Sequence, residues 1–362
     1  LTTHESSYAY LVEWSDYHSA AFLTDLFKND IQVYTSSKSF SSTIGSHVLD
    51  FGTGTLVIPV AGQKVSRQVL YRQLSELGRK HGIPVHAVTT GYNVKGIDLG
   101  SNHVKPLKKP DILILTGLGI SSLETGEAWY VIDNYLDMSV TRADVSNLGR
   151  LNLNRYNTIV LPGTDSRAGS IQVDKSSLIR LKNWISEGGT LIALNTASEW
   201  VIANEIVHEK LVAVPRDSSR SSRINFGGMV QTEGSKVVGG TILMADIDTS
   251  HPLGFGFSRR WLPVLKNNTL ALQFSESPYH TVAAFDKEPL ISGYISGKNL
   301  IRISNTAAMI VNPLQQGRVI LFAFNPIHRA SWHSSARLFY NSVFFGQLIG
   351  GGPVRYRAYG QE

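Results

Sequence analysis

Between Asp111 and Val207, short apolar runs alternate with stripes of helical period, and that alternation constrains the chain more than any other feature. Ile112–Leu115 is apolar throughout, as a strand covered on both faces should be. A helix is expected from about Ser122 to Tyr135, then a strand over Val140–Val145. Thr158–Leu161 is a third strand, stopped by Pro162-Gly163. Asp174 can cap a helix that places Leu178, Leu181, Trp184 and Ile185 on one face, and Glu187-Gly188-Gly189 ends it. Thr190–Leu194 is the fourth strand, and a helix over 197–207 follows. Strands alternating with helices build βαβ units, hence a parallel sheet with helices on both faces.

The fourth strand runs into a sharp turn at Asn195 and straight into a helix. That is the sequence shape of a nucleophile elbow, where some α/β enzymes hold a strained Ser or Cys. Here the elbow residue is an amide, and the chain has no cysteine at all. The architecture is that of an enzyme, but the reactive atom is missing.

The remainder is less regular. In the first hundred residues, strands are expected at Tyr8–Val12, Ile31–Tyr34, Thr55–Val60 and Pro84–Val88. A helix capped by Ser15 or Asp16 carries Ala20, Phe22, Leu23, Leu26 and Phe27, and a second covers 66–80 and ends at Gly82. Ser36–Gly54 looks loop-rich, and residues 91–110 look like a boundary. This divides the chain into an N-terminal α/β module (1–105) and a larger α/β domain (106–362) with a β-rich insertion near 210–325. Strand signals there are Val237–Leu243, Leu270–Phe274, Thr281–Phe285, Leu290–Ile295, Ala308–Val311 and Val319–Phe324, before a final helix near Ser334–Leu348. Arg216–Arg223 is Ser-rich and reads as a surface loop.

Composition narrows the function classes. An apolar fraction of 42% over 362 residues supports a full core, and charged residues make up only 17%. Net charge is +6, mild for this length, so an ordinary basic surface is expected and not a nucleic-acid face. No apolar run approaches the roughly 18 residues of a membrane helix. Without cysteine, neither a disulfide nor a thiolate zinc site can form. From the start at Leu1 a fragment or a processed form is expected, and the opening residues do not read as a signal peptide.

Asp165 and Ser166 follow Pro-Gly at a strand's C-terminal end, the region where open α/β sheets bind ligands. With Asn195, Thr196 and Glu199 they form the candidate ligand-binding set; no residue is assigned a catalytic role. Glu124 and Glu127 sit where they would complement a helix dipole. Asp246, Asp248 and His251 fit a capped turn before Pro252. His328 and His333 are spaced too unevenly to share a helix face as metal ligands. Gly117-x-Gly119 is a tight strand-to-helix turn that lacks the third glycine of a dinucleotide fingerprint.

Through its ILILTG strand, IVLPGTDS strand-turn and GGTLIALNTASEW elbow, Asp111–Ile206 resembles the class I glutamine amidotransferase-like fold, a flavodoxin-like α/β sandwich. Active members of that family carry Cys where this chain has Asn195, and a downstream His-Glu pair is not placeable here. The whole chain also resembles the C-terminal part of a group of large bacterial zinc carboxypeptidases of the M14 family. The matching stretches are Tyr8–Tyr17, Gly54–Val60, Gly96–Asn102, Tyr156–Gly163, Gly188–Leu194, His251–Gly256 and Gly317–His333, in that order. This resemblance implies a parent whose upstream peptidase domain holds zinc through His-x-x-Glu and a later His. It also implies secretion to the periplasm, docking of this chain on its own peptidase domain, and a peptide or cell-wall ligand. No His here is followed by Glu three residues later, so no cofactor is expected in this chain itself.

Overall fold

The computed structural model describes residues 4–165, 167, 169–213 and 226–350. The Arg216–Arg223 loop and Ser166 fall outside these.

The first module holds strands β1 (Ala9–Val12), β2 (Tyr34–Ser36), β3 (Phe40–Ile44), β4 (His47–Phe51), β5 (Leu56–Pro59), β6 (His86–Val88), β7 (Lys95–Gly96) and β8 (Val104–Pro106). Helices α1 (Ser19–Lys28) and α2 (Arg67–His81) pack beside them. The strands form a five-stranded antiparallel sheet in the order β6-β1-β5-β2-β8 and a small sheet β4-β3-β7. The stretch expected to be loop, Ser36–Gly54, contains the β3–β4 hairpin. Its outer strand is mostly exposed, and it is pinned by Phe40 stacked on Phe51 at 5.3 Å. The strand expected from Ile31 begins at Tyr34. Helix α1 starts two or three residues later than expected: His18 is its N-cap, and the Asp16 carboxylate accepts the His18 N–H at 2.8 Å.

The second module contains β9 (Ile112–Thr116), α3 (Ser122–Tyr130), β10 (Val140–Asp144), β11 (Thr158–Leu161), α4 (Lys175–Ser186), β12 (Thr190–Ala193) and α5 (Ala197–Ala203). After α6 (Met229–Gly234) come β13 (Thr241–Ile247), β14 (Trp261–Lys266), β15 (Thr281–Gly293), α7 (Gly297–Ile303), β16 (Ala307–Leu314), β17 (Gly317–Phe322) and α8 (His333–Phe345). They share one nine-stranded sheet, β10-β9-β11-β12-β17-β16-β15-β13-β14. The first five strands are parallel, and the rest extend the sheet antiparallel from β17. Counted along the chain, the parallel strands lie in the order 2-1-3-4-5, the doubly wound flavodoxin-like arrangement. The fold is thus α/β, and the β-rich segment is the antiparallel half of the same sheet. β11 and β12 are buried at every residue, as a sheet covered on both faces requires.

Several boundaries shift for local reasons. Helix α3 stops at Tyr130 and continues to Tyr135 as a π-helical turn. The two strands expected over 281–295 are one strand, β15, broken by register shifts against β13. Leu270–Phe274 contributes only isolated bridges at Leu272. The Asp174 cap is present: its carboxylate accepts the Ser177 N–H at 3.0 Å.

One continuous hydrophobic core joins the two modules. Its seam is Trp14, fully buried against Phe344 and Phe345 of α8 at centroid distances of 6.0 and 4.6 Å. The Trp14 indole N–H donates to Asn341 Oδ1 at 2.7 Å. Asn341 Nδ2 in turn donates to the carbonyls of Leu253 and Phe255 at 2.8 and 2.9 Å. One buried amide therefore ties the first module, α8 and the 251–256 turn together. Asn341→Ala leaves an indole N–H and two carbonyls without partners, so it should lower unfolding stability by about 3 kcal/mol in urea denaturation. A second constraint lies where β17 begins. A Cβ on Gly317 would sit 1.7 Å from the Ile185 carbonyl and 2.4 Å from that of Gly189, both backbone atoms. Gly317→Ala should cost about 3 kcal/mol in the same measurement, because neither atom can move without shifting the end of α4.

Candidate functional site

The site lies at the C-terminal ends of the parallel strands. The turn after β12 places Asn195 at φ 57°, the left-handed backbone of a nucleophile elbow. Asparagine tolerates that region better than most residues, because its short side chain can bond locally. Here, however, both ends of the amide reach distant partners. Nδ2 donates to Glu124 Oε1 at 2.5 Å, and Oδ1 accepts from Asn268 Nδ2. Asn195 is only 4% exposed.

Glu124 is delivered by α3. Ser121 caps that helix, its side chain accepting the Glu124 N–H at 3.3 Å. The Ser121-x-x-Glu124 spacing would suit a capping box, in which the Glu turns back to the Ser121 N–H. Instead the Ser121 N–H donates to the Gly163 carbonyl at 2.8 Å, which frees the carboxylate to cross to the next strand. There Oε2 accepts the Gly163 N–H at 2.9 Å. A Cβ on Gly163 would lie 2.4 Å from Oε2, so the glycine of IVLPG is what lets the carboxylate in. Burial pushes the Glu124 carboxyl up to about 7, against the lowering effect of its two donors and with some help from Glu127.

Two further layers support this pair. Asn268 also donates to the Ala323 carbonyl at 3.1 Å, and its Oδ1 accepts from Lys266 Nζ at 2.8 Å. Lys266 is fully buried and donates to the Ala323 carbonyl at 2.6 Å; burial pushes its ammonium well below the usual lysine range. One turn further along the same face of α3, Glu127 accepts from Asn325 Nδ2 at 2.5 Å and from the Arg329 N–H at 2.7 Å. Arg329 and Ala330 both have positive φ, 53° and 52°, so this rim carries backbone strain like the elbow itself. His328 stands beside it, held below the usual histidine range by desolvation against the opposing effect of Glu127.

The candidate residues from sequence separate in space. Asn195 and Thr196 are at the elbow. The Thr196 hydroxyl accepts the Thr164 N–H at 2.8 Å and donates to the Thr164 carbonyl at 3.2 Å. Asp165 lies further out, its carboxylate accepting the Arg167 N–H at 3.0 Å and its own N–H donating to the Gly119 carbonyl. Glu199 is exposed in the first turn of α5, where its charge suits the helix dipole. Ser166 lies outside the described residues. The carboxylate that meets the elbow is Glu124, which the sequence alone assigns to the helix dipole. Lys266, Asn267 and Asn268 join the site without a sequence signal, because nothing local in Lys-Asn-Asn points to a partner some 70 residues away. Asp246 pairs with Arg260, and the Asp248–His251 turn is a capped turn, with His251 Nδ1 accepting the Leu253 N–H at 3.1 Å. Among the described residues, no group of three His, Asp or Glu side chains is placed to hold a metal ion.

No family model and no curated protein matches the sequence. Solved structures with a similar outline include a protein described as ThuA-like from Bacteroides uniformis, at 10% identity and a TM-score of 0.41, covering 65% of this chain and 91% of that one. A second ThuA-like protein, from Parabacteroides merdae, matches at 12% identity and a TM-score of 0.39, over 65% and 89% of the two chains. A protein described as a GMP synthase subunit, from Thermoplasma acidophilum, matches at 10% identity and a TM-score of 0.38, over 65% and 94%. The strand order and connectivity of the parallel sheet define the fold.

The raised Glu124 carboxyl has a consequence for stability. Its folded value near 7 lies above the 4.5 of an unperturbed glutamate, so the fold favours the protonated form. That contribution is fully present below about 4.5 and is lost as pH rises through 7. Between those limits the wild type should lose about 3 kcal/mol relative to Glu124→Gln, which cannot ionise. Urea denaturation of both proteins across that pH range reads the difference.

Proposed function

We propose that this chain is a non-catalytic accessory region of a periplasmic zinc metallocarboxypeptidase, with zinc and the hydrolytic step belonging to a peptidase domain encoded upstream. The observation that carries its non-catalytic part is the elbow. The position where the amidotransferase-like scaffold presents a nucleophile holds an amide, bonded at both ends by Glu124 and Asn268 and closed from solvent. An amide so placed has no nucleophilic lone pair to offer, and no cysteine exists to replace it. The zinc carboxypeptidase parent is supported by the ordered series of stretches from Tyr8–Tyr17 to Gly317–His333. Three of these converge physically: Trp14, Gly54 and the His251–Gly256 turn meet at the seam between modules, where a Cβ on Gly54 would lie 2.9 Å from Phe255 Cβ and 3.2 Å from Trp14 Cβ. A seam packed this closely suits a rigid body that docks against a peptidase domain or carries a peptide or cell-wall ligand.

A second function, ligand binding or hydrolysis at a non-cysteine site, is favoured by one observation. Glu124 follows the first parallel strand and Gly163 the third, so their pair sits at the point where strand order reverses, the usual ligand crevice of this topology. A carboxyl near 7 there is suited to general acid–base work. The two functions separate in one experiment. The purified chain, assayed on peptides with free C-termini at neutral pH with and without added zinc, should release no amino acid. Zinc-dependent turnover overturns the accessory role. Zinc-independent turnover that disappears in Glu124→Gln establishes the second function instead. The coding region upstream should contain His-x-x-Glu and a later His.

A further inference from the structure

The opposite end of the parallel sheet carries a second feature that the elbow does not use. Arg318, the second residue of β17, is 5% exposed, yet it has no acidic partner: among the described residues, no carboxylate lies within ion-pair distance of it. Its guanidinium donates only to neutral oxygens. Nη1 reaches the Gly188 carbonyl at 3.3 Å and Thr190 Oγ1 at 3.1 Å, and Nη2 reaches the Gln316 carbonyl at 2.5 Å. Nε is buried without any partner. Three of the five guanidinium hydrogens are thus used, all on neutral oxygens, and the charge itself has no counter-charge among the described residues.

Arg318 lines a cavity of about 560 Å³ at the N-terminal ends of β11, β12 and β17. Lys108 lies on its wall, with the polar side chains of Asn154, Tyr156 and Gln347. The one carboxylate among the lining residues, Glu187, is exposed. Arg318 also caps the Gly188 carbonyl just beyond the end of α4. A helix C-terminus, however, carries only about half a negative charge, which leaves a buried cation largely uncompensated. Cations buried this deeply are ordinarily paired.

We propose that this cavity binds a small oxyanion, a carboxylate or phosphate group, which pairs with Arg318 and is drawn in by Lys108. The site is independent of the elbow and of the function assigned to it. The test is a binding titration of the full chain with inorganic phosphate, and separately with acetate, at constant ionic strength held with chloride. Saturable binding of one or both is expected, the two arms telling phosphate from carboxylate. Arg318→Gln should weaken it at least about tenfold, as loss of a charge-assisted pair implies. Because Arg318 is buried, Lys108→Glu provides an independent variant: Lys108 is exposed, and reversing its charge should weaken binding without unfolding the protein. Absence of saturable binding for both anions overturns the proposal, as does binding that Lys108→Glu leaves unchanged.

Discussion

The site is organised around one hydrogen bond, from the Asn195 amide to the buried Glu124 carboxyl. It links the fourth parallel strand to the helix after the first, and the Gly163 N–H fastens the same carboxyl to the third. A carboxyl so largely desolvated is tolerable only with donors on both oxygens or with its own proton retained, and a value near 7 places it between the two. The left-handed backbone at Asn195 is then held by long-range bonds as well as by its turn. The position that would hold a nucleophile becomes the centre of a polar network running from Gly163 through Glu124, Asn195 and Asn268 to Lys266.

That network has a mechanical counterpart at the module seam. Trp14 and Asn341 do for the two modules what Glu124 and Asn195 do for the strands: a polar side chain satisfies partners from two other segments and joins them to its own helix. Arg337 adds to the seam by donating to the carbonyls of Trp14 and Ser15. Such groups are costly to bury alone and specific once satisfied, so they fix which elements meet.

What sequence reveals follows the range of the interaction. The parallel strands are legible because Ile112–Leu115, Thr158–Leu161 and Thr190–Leu194 must be apolar on both faces. The Asp174 cap and the backbone turn at Asn195 are legible because the bonds that close them span only a few residues, whereas the partners of the Asn195 side chain do not. The β3–β4 hairpin is not, because its outer strand is mostly exposed and its pattern carries no period. Glu124 occupies a position where a dipole or capping role explains it locally, and only the approach of Gly163 and Asn195 diverts it. Lys266 and Arg318 are hidden for the same reason: a lysine or arginine in a strand looks like an exposed edge until the sheet that buries it is assembled.

A double-mutant cycle on Glu124→Gln and Asn195→Ala tests the central bond most directly. Stability is measured at pH 8, where the Glu124 carboxyl is mostly ionised. If the elbow amide is a structural partner of that carboxylate, the two substitutions should be non-additive by about 1 kcal/mol or more. Additive effects would mean that the carboxylate and the elbow are held independently, and would contradict the account of Asn195 as the keystone of the site.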